Sequence, residues 1–182
     1  MKFLQLIEQD KPENQPDIHY GAGVLIYCPK TNRFLLQKRG ANITDGGQYD
    51  YFGGGVDEGE SIIGAAIREL YEEGGILVSD PATLYKLAIL GKEPRVGLGG
   101  YHIFLRISDE EFDGDPAYEG DTDDEVESMD WIGKDEIGKI ELHDRVSKLF
   151  SDPGFKSSLK KAYQEHKNRE NDNVDKYAGL DY

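Results

Sequence analysis

The chain has 182 residues, 37 % of them hydrophobic and 31 % charged, which suits one domain with a core of its own. A net charge of −15 opposes non-specific binding to nucleic-acid backbone or to an anionic membrane. It would also repel a phosphate-bearing ligand unless a cation bridged the two. Cys28 is the single cysteine, so no internal disulfide forms, and no stretch approaches the ~20 apolar residues of a membrane-spanning helix. Met1 to Asp10 lacks the long apolar run of a secretory signal, so the expected compartment is the cytoplasm.

Lys2 to Glu8 reads as a weak strand and Asp10 to Asp17 as a polar connector. Tyr20 to Tyr27 is apolar and reads as a buried strand. The turn Pro29-Lys30-Thr31-Asn32 joins it to a second strand, Arg33 to Lys38, as a hairpin. Gly40 to Gly47 is a polar loop. The aromatic stretch Tyr49 to Phe52 precedes Gly53-Gly54-Gly55, which is expected to break regular structure and to let the backbone approach something closely. From Glu60 to Gly74 the period turns helical, with Ile63, Ile67 and Leu70 as an apolar stripe and Gly74-Gly75 as the stop.

Ala82 to Leu90 and Gly100 to Ile107 read as strands around a loop at Pro94 to Gly99. Asp109 to Asp124 is an acidic loop, Val126 to Ile132 a strand, and Lys134 to Ile140 a short helix. Phe155, Leu159, Ala162 and His166 mark a last amphipathic helix opened by Asp152-Pro153. The division is one domain over residues 1–168 and a polar tail over 169–182. The tail is expected to fray or to serve as a contact segment, which leaves room for a homodimer.

The chemistry concentrates between Gly54 and Ile76. On the helix, Glu69 and Glu73 are four apart and Glu69 and Glu72 three apart, so the three carboxylates share one side. Like charges at this spacing cost ~0.2–0.5 kcal/mol per pair. They also sit in the last turns, where the helix dipole disfavours anions. A solvated helix face is the plain alternative, but it leaves the glycine loop before the helix and the arginine beside the glutamates unexplained. A divalent cation supplies the missing charge, and Mg²⁺ takes oxygen ligands while bridging to phosphates. Arg68 follows Glu60 by eight residues, just over two turns, and is assigned to orient a carboxylate.

The pattern Gly54-x5-Glu60-x7-Arg68-Glu69-Leu70-x-Glu72-Glu73-x-Gly75-Ile76 resembles the signature of the Nudix hydrolases at every fixed position. Many members reach the box through a proline, where this chain has Phe52. The resemblance implies an α/β (α+β) fold, an α/β/α sandwich around a mixed β-sheet. It also implies metal-dependent hydrolysis of the diphosphate linkage in a nucleoside diphosphate joined to another moiety. Under it, Glu69, Glu72 and Glu73 serve Mg²⁺, with Mn²⁺ as the alternative ion. The base is Glu69 or an acid of the late loop, for which Glu125 is the candidate; Glu125 also reads as one member of a solvated run with Asp121, Asp123 and Asp124.

Arg39 reads either as a phosphate contact, together with Gly53, Gly54 and Gly55, or as a surface ion pair. Tyr49, Tyr51 and Phe52 read as base-stacking or core residues, and Tyr101 and His102 as pocket or structural residues. A non-catalytic nucleotide-binding sensor of the same fold is the alternative function.

Overall fold

The computed structural model describes residues 19–91, 97–113 and 125–177. Its centre is a seven-stranded mixed sheet. The first strand, β1 (His19–Cys28), forms the predicted hairpin with β2 (Arg33–Arg39), Ile26 facing Leu35. On the same edge, the first half of β1 pairs with β4 (Phe52–Gly55), so Ala22 lies opposite Gly54. Its other edge runs parallel to β6 (Leu98–Ile107), which pairs antiparallel with β5 (Leu84–Leu90). Two further strands extend from β2: β3 (Tyr49–Asp50) and β7 (Val126–Gly133).

Strand alternation sorts the apolar side chains onto the two faces. Val24, Ile26 and Leu35 pack with Ala65, Ala66 and Leu70 of α1 (Ile62–Gly74). Leu25, Phe34 and Leu36 pack on the opposite face with Val146 and Leu149 of α2 (Asp144–Ser151) and Ala162 of α3 (Phe155–Tyr177). Helices on both faces of a mixed sheet make the sandwich that the resemblance implied. Leu70 is fully enclosed, and emptying such a site typically costs ~2–5 kcal/mol.

α1 begins at Ser61, whose hydroxyl accepts the Gly64 N–H at 3.0 Å. It ends at Gly75, whose left-handed φ of 62° lets its N–H reach back to Leu70 and Tyr71. Both ends lie close to the expected ones.

Four elements differ from expectation. The three glycines do not break the sheet: they complete β4, because a ladder bond uses backbone atoms alone and the partner stretch Gly21-Ala22-Gly23 is equally small. Phe52, at the proline position of many relatives, is fully buried and lies against Gly74. The stretch from Lys134 to Ile140 narrows to a single 3-10 turn at Ile137–Lys139. α2 was not anticipated, since eight residues give periodicity little to repeat. α3 continues to Tyr177, past the point where the polar composition placed a tail. The expectations for Lys2 to Glu8, Asp10 to Asp17, and Asp121, Asp123 and Asp124 fall outside the described residues.

Candidate active site

Arg68 is the hub of the helix face. Its Nε and Nη2 donate to the two oxygens of Glu60 at 3.1 and 3.0 Å. Its Nη1 donates to Glu69 at 2.8 Å and to Glu72 at 2.9 Å, and Nη2 also reaches the Gly55 carbonyl at 3.0 Å. One guanidinium therefore ties three box carboxylates to the glycine strand, and the eight-residue spacing to Glu60 closes as a bidentate pair. The Glu60 hydrogen bond, foremost, holds Arg68 above its ordinary range, and Arg68 in turn holds Glu60 below the usual carboxylate range.

Glu69 lies flat against β4. A Cβ on Gly54 would sit 2.5 Å from Glu69 Oε1, so only glycine admits the carboxylate there. Burial lifts Glu69 above the ordinary carboxylate range; Arg68 offsets part of the lift, and the charges of Glu72 and Glu125 add to it. Glu125 directly precedes β7 and is exposed, and its charge acts on Glu69 across space.

Glu73 is held differently. Its Oε2 accepts the Gly53 N–H at 2.6 Å and the Gln37 amide at 2.9 Å. Both donors are neutral. Burial pushes Glu73 up to about 8 despite them, with Glu69 and Asp50 adding repulsion. The two protein donors use one oxygen, and Gln37 is itself buried on β2. The last turn of α1 carries no basic residue; Arg68 meets Glu72 from one turn back, but among the described residues no cation pairs with Glu73 to offset the dipole penalty.

The donor set fits a hard divalent ion: it is carboxylate oxygen throughout, and at Glu69 and Glu73 burial and like charges resist ionisation. The glutamates are spread between Arg68, Gln37 and Gly53 rather than gathered at a point. Among the described residues, the three side chains whose ligand atoms all lie within 4.8 Å of one another are Asp109, His166 and Glu170, at the end of β6 and on α3.

The other candidates divide. Arg39 donates twice to the Thr44 carbonyl, at 3.2 and 2.9 Å, and its Nη1 lies 3.6 Å from Asp50. It thereby ties the 40–47 loop to a buried acid. Tyr51 and Phe52 are fully buried in the core, while Tyr49 donates to Asp130 at 3.1 Å. Tyr101 lines a cavity of about 500 Å³ beside Gly54 and Gly55, and His102 stands 6.0 Å from the Tyr20 ring.

Gln37, Asp50 and Arg145 were missed. Asp50 is fully buried; it accepts from Arg145 Nη2 at 2.5 Å and from the Tyr51 N–H at 2.9 Å, with His143 3.5 Å away. The Arg145 guanidinium lies over Tyr101, 4.6 Å from the ring centre, and 5.4 Å from that of Tyr51. A lone Asp between two tyrosines was the only hint of this cluster in the sequence.

A glycine strand laid against a helix whose last two turns carry three carboxylates defines a class of domain. The NUDIX domain model matches residues 17–152, and the chain belongs to that family. It is a hydrolase acting on phosphoric anhydride bonds, of the pyrophosphohydrolase type. Among solved structures it resembles a protein from Deinococcus radiodurans at 14 % identity and a TM-score of 0.55, over 79 % of this chain and 87 % of that one. A Nudix hydrolase from M. smegmatis is similar at 19 % identity and 0.52, over 84 % and 86 %. A Nudix family member from Chromobacterium violaceum is similar at 19 % and 0.51, over 88 % and 97 %. At these identities the likeness concerns the fold. Compared with curated protein sequences, the chain has no match. Among the described residues, no helix is long and apolar enough to cross a membrane.

Proposed function

We propose that this hydrolase cleaves the diphosphate linkage of a nucleoside diphosphate joined to another moiety, and that it depends on Mg²⁺, or alternatively Mn²⁺. The observation that carries the reading is Glu73: an enclosed carboxylate pushed up to about 8, satisfied by neutral donors through one oxygen, beside two more carboxylates. Glu69, Glu72 and Glu73 are the residues that would hold the ion. When bound, it neutralises substrate phosphate charge and lowers the pKa of the attacking water.

The chain's own groups do the rest. Arg68 fixes Glu69 and Glu72 in place. Glu69, lifted above the ordinary range and so better matched to neutral pH, takes the proton of the water; Glu125 is the second candidate for that task. The backbone of Gly53 to Gly55 lets phosphate approach where any side chain would obstruct it. We place the activity in the cytoplasm, in keeping with one buried free thiol. The alternative of a non-catalytic sensor is set aside, because the chain belongs to a hydrolase family and keeps the full set of box glutamates.

The deciding experiment measures phosphate or nucleotide release with and without Mg²⁺. The panel holds nucleoside diphosphate sugars, dinucleoside polyphosphates, dinucleotide cofactors, damaged nucleoside triphosphates and capped RNA. Mg²⁺-dependent turnover of at least one anhydride is expected. Turnover of no nucleoside diphosphate derivative in the panel, or turnover indifferent to Mg²⁺, would overturn the proposed substrate class or the proposed metal dependence.

A further inference from the structure

The cavity beside β4 is a different electrostatic environment from the rest of the molecule. The chain holds 36 acidic and 21 basic residues. Yet among the described residues lining the cavity none is acidic, while Arg145, Lys148 and His19 all contribute. Tyr20, Tyr101 and Leu98 give it apolar walls, and Gly54 and Gly55 form its side toward the box. Glu69 lies against Gly54 from the α1 face and Arg68 holds the Gly55 carbonyl, while Arg145 and Lys148 come from α2 on the opposite face, so the glycine strand stands between the cavity and the carboxylates.

The cation on its wall is expensive to place. Arg145 is anchored in a fully buried carboxylate, Asp50, and packed over two tyrosine rings. Arg39 shares the same carboxylate at 3.6 Å, so two guanidiniums meet one buried acid and the group carries excess positive charge. Lys148, one turn after Asp144, pairs with it at 2.5 Å and is otherwise exposed. A guanidinium held rigid in partly apolar surroundings binds anionic oxygen more strongly than a mobile surface charge does.

The geometry points to this cavity as an anion subsite that receives a phosphate group lying beyond the scissile diphosphate. The preferred substrate would then carry an extra phosphate on the moiety remote from the bond that is cut. This rests on the anhydride-hydrolase reading for its substrate, but the subsite itself can be tested without turnover.

The first arm titrates metal-free protein with inorganic phosphate and follows backbone amide shifts by NMR. Saturable shifts at Gly54, Gly55, Gly91 and Gly100 are expected, weakened at least fivefold in Lys148→Gln, whose exposed side chain puts the fold at no risk. The pair Asp50→Asn with Arg145→Gln removes both buried charges together and should abolish the shifts, with circular dichroism to confirm folding. The second arm compares a nucleoside diphosphate sugar with the same compound phosphorylated on its sugar. The phosphorylated form should show a KM at least tenfold lower at similar kcat, and Lys148→Gln should erase most of that advantage. Absent or unsaturable phosphate shifts, or equal KM for the two compounds, overturn the subsite even in an active hydrolase. If no anhydride is turned over, the functional reading fails, and the phosphate titration still decides the subsite.

Discussion

Glu73 and Asp50 are both enclosed carboxylates near the same strand of the sheet, and they are satisfied in opposite ways. Asp50 has Arg145 at 2.5 Å, with His143 and Arg39 close by. Glu73 has a glutamine amide and a backbone N–H. An acid met by guanidiniums is complete within the chain, and removing a partner strands the other charge. An acid met only by neutral donors keeps its electrostatic demand open. The first arrangement builds a wall; the second has the chemistry that the proposed cation would complete.

The sharpest way to break this contrast is Glu73→Gln, which keeps volume and both donors while removing the charge. Turnover in Mg²⁺ should fall by ~10²–10⁴, on the scale of losing a group that acts in the transition state. Melting temperature without metal should hold or rise, and the rise produced by Mg²⁺ should shrink. A fully active variant would reduce the box to a solvated helix face.

Next in size is Arg145→Met, which leaves Asp50 buried without its nearest guanidinium. Thermal or urea unfolding should show a loss of ~3–5 kcal/mol, the usual result of breaking one side of a buried pair. Adding Asp50→Asn should recover much of that loss, because the stranded charge is gone. Equal damage in the single and double variants would mean that packing over the tyrosines, not charge, holds α2 in place.

The smallest effect expected is a pH slope in metal-free stability. Glu73 titrates near 8 when folded and near the ordinary carboxylate value when unfolded. Below the unfolded value both states are protonated. Between the two values the unfolded chain has lost a proton that the folded chain keeps, so stability falls as pH rises, and levels off above about 8. Glu69, also lifted, contributes in the same direction. Over that window the decline should amount to a few kcal/mol at most, read as melting temperature in EDTA. Glu73→Gln should flatten it. A parent protein whose metal-free stability rises from pH 5 to 8 would contradict the assignment.

The side of the site built by Glu73 was largely legible in the sequence; the side built by Asp50 was not. Glu60, Arg68, Glu69, Glu72 and Glu73 lie on or just before one helix, where a fixed rise and turn convert spacing into proximity. Their mutual repulsion is itself a signal. Asp50 and Arg145 are 95 positions apart and meet only because β3 and α2 pack together. No local period encodes such a pairing. The strand β4 was misjudged for a related reason: glycine's poor strand propensity reflects an absent side chain, and here that absence is what the close approach of Glu69 requires. Gln37 was read as one polar position in a strand, and its role depends on Glu73 arriving from a helix 36 residues later.

The parallel pairing of β1 with β6 sets the order in which this enzyme can come into being. Tyr27 pairs with Ile107, eighty residues on, and no shorter connection supplies that edge of the central strand. A large loop must close before the sheet has its middle, and such long-range pairing slows folding. While the chain is emerging from a ribosome, the hairpin, β4 and the box helix that packs on β1 and β4 are complete before β6 arrives to cover the other edge of β1. Gly54 of β4 and Gln37 of β2, which meet Glu69 and Glu73, already precede the box helix in the chain. The box carboxylates and the groups that hold them all lie between Gln37 and Glu73, so what the second half of the chain adds is the far edge of the sheet and, with Arg145 and Lys148, the wall of the cavity.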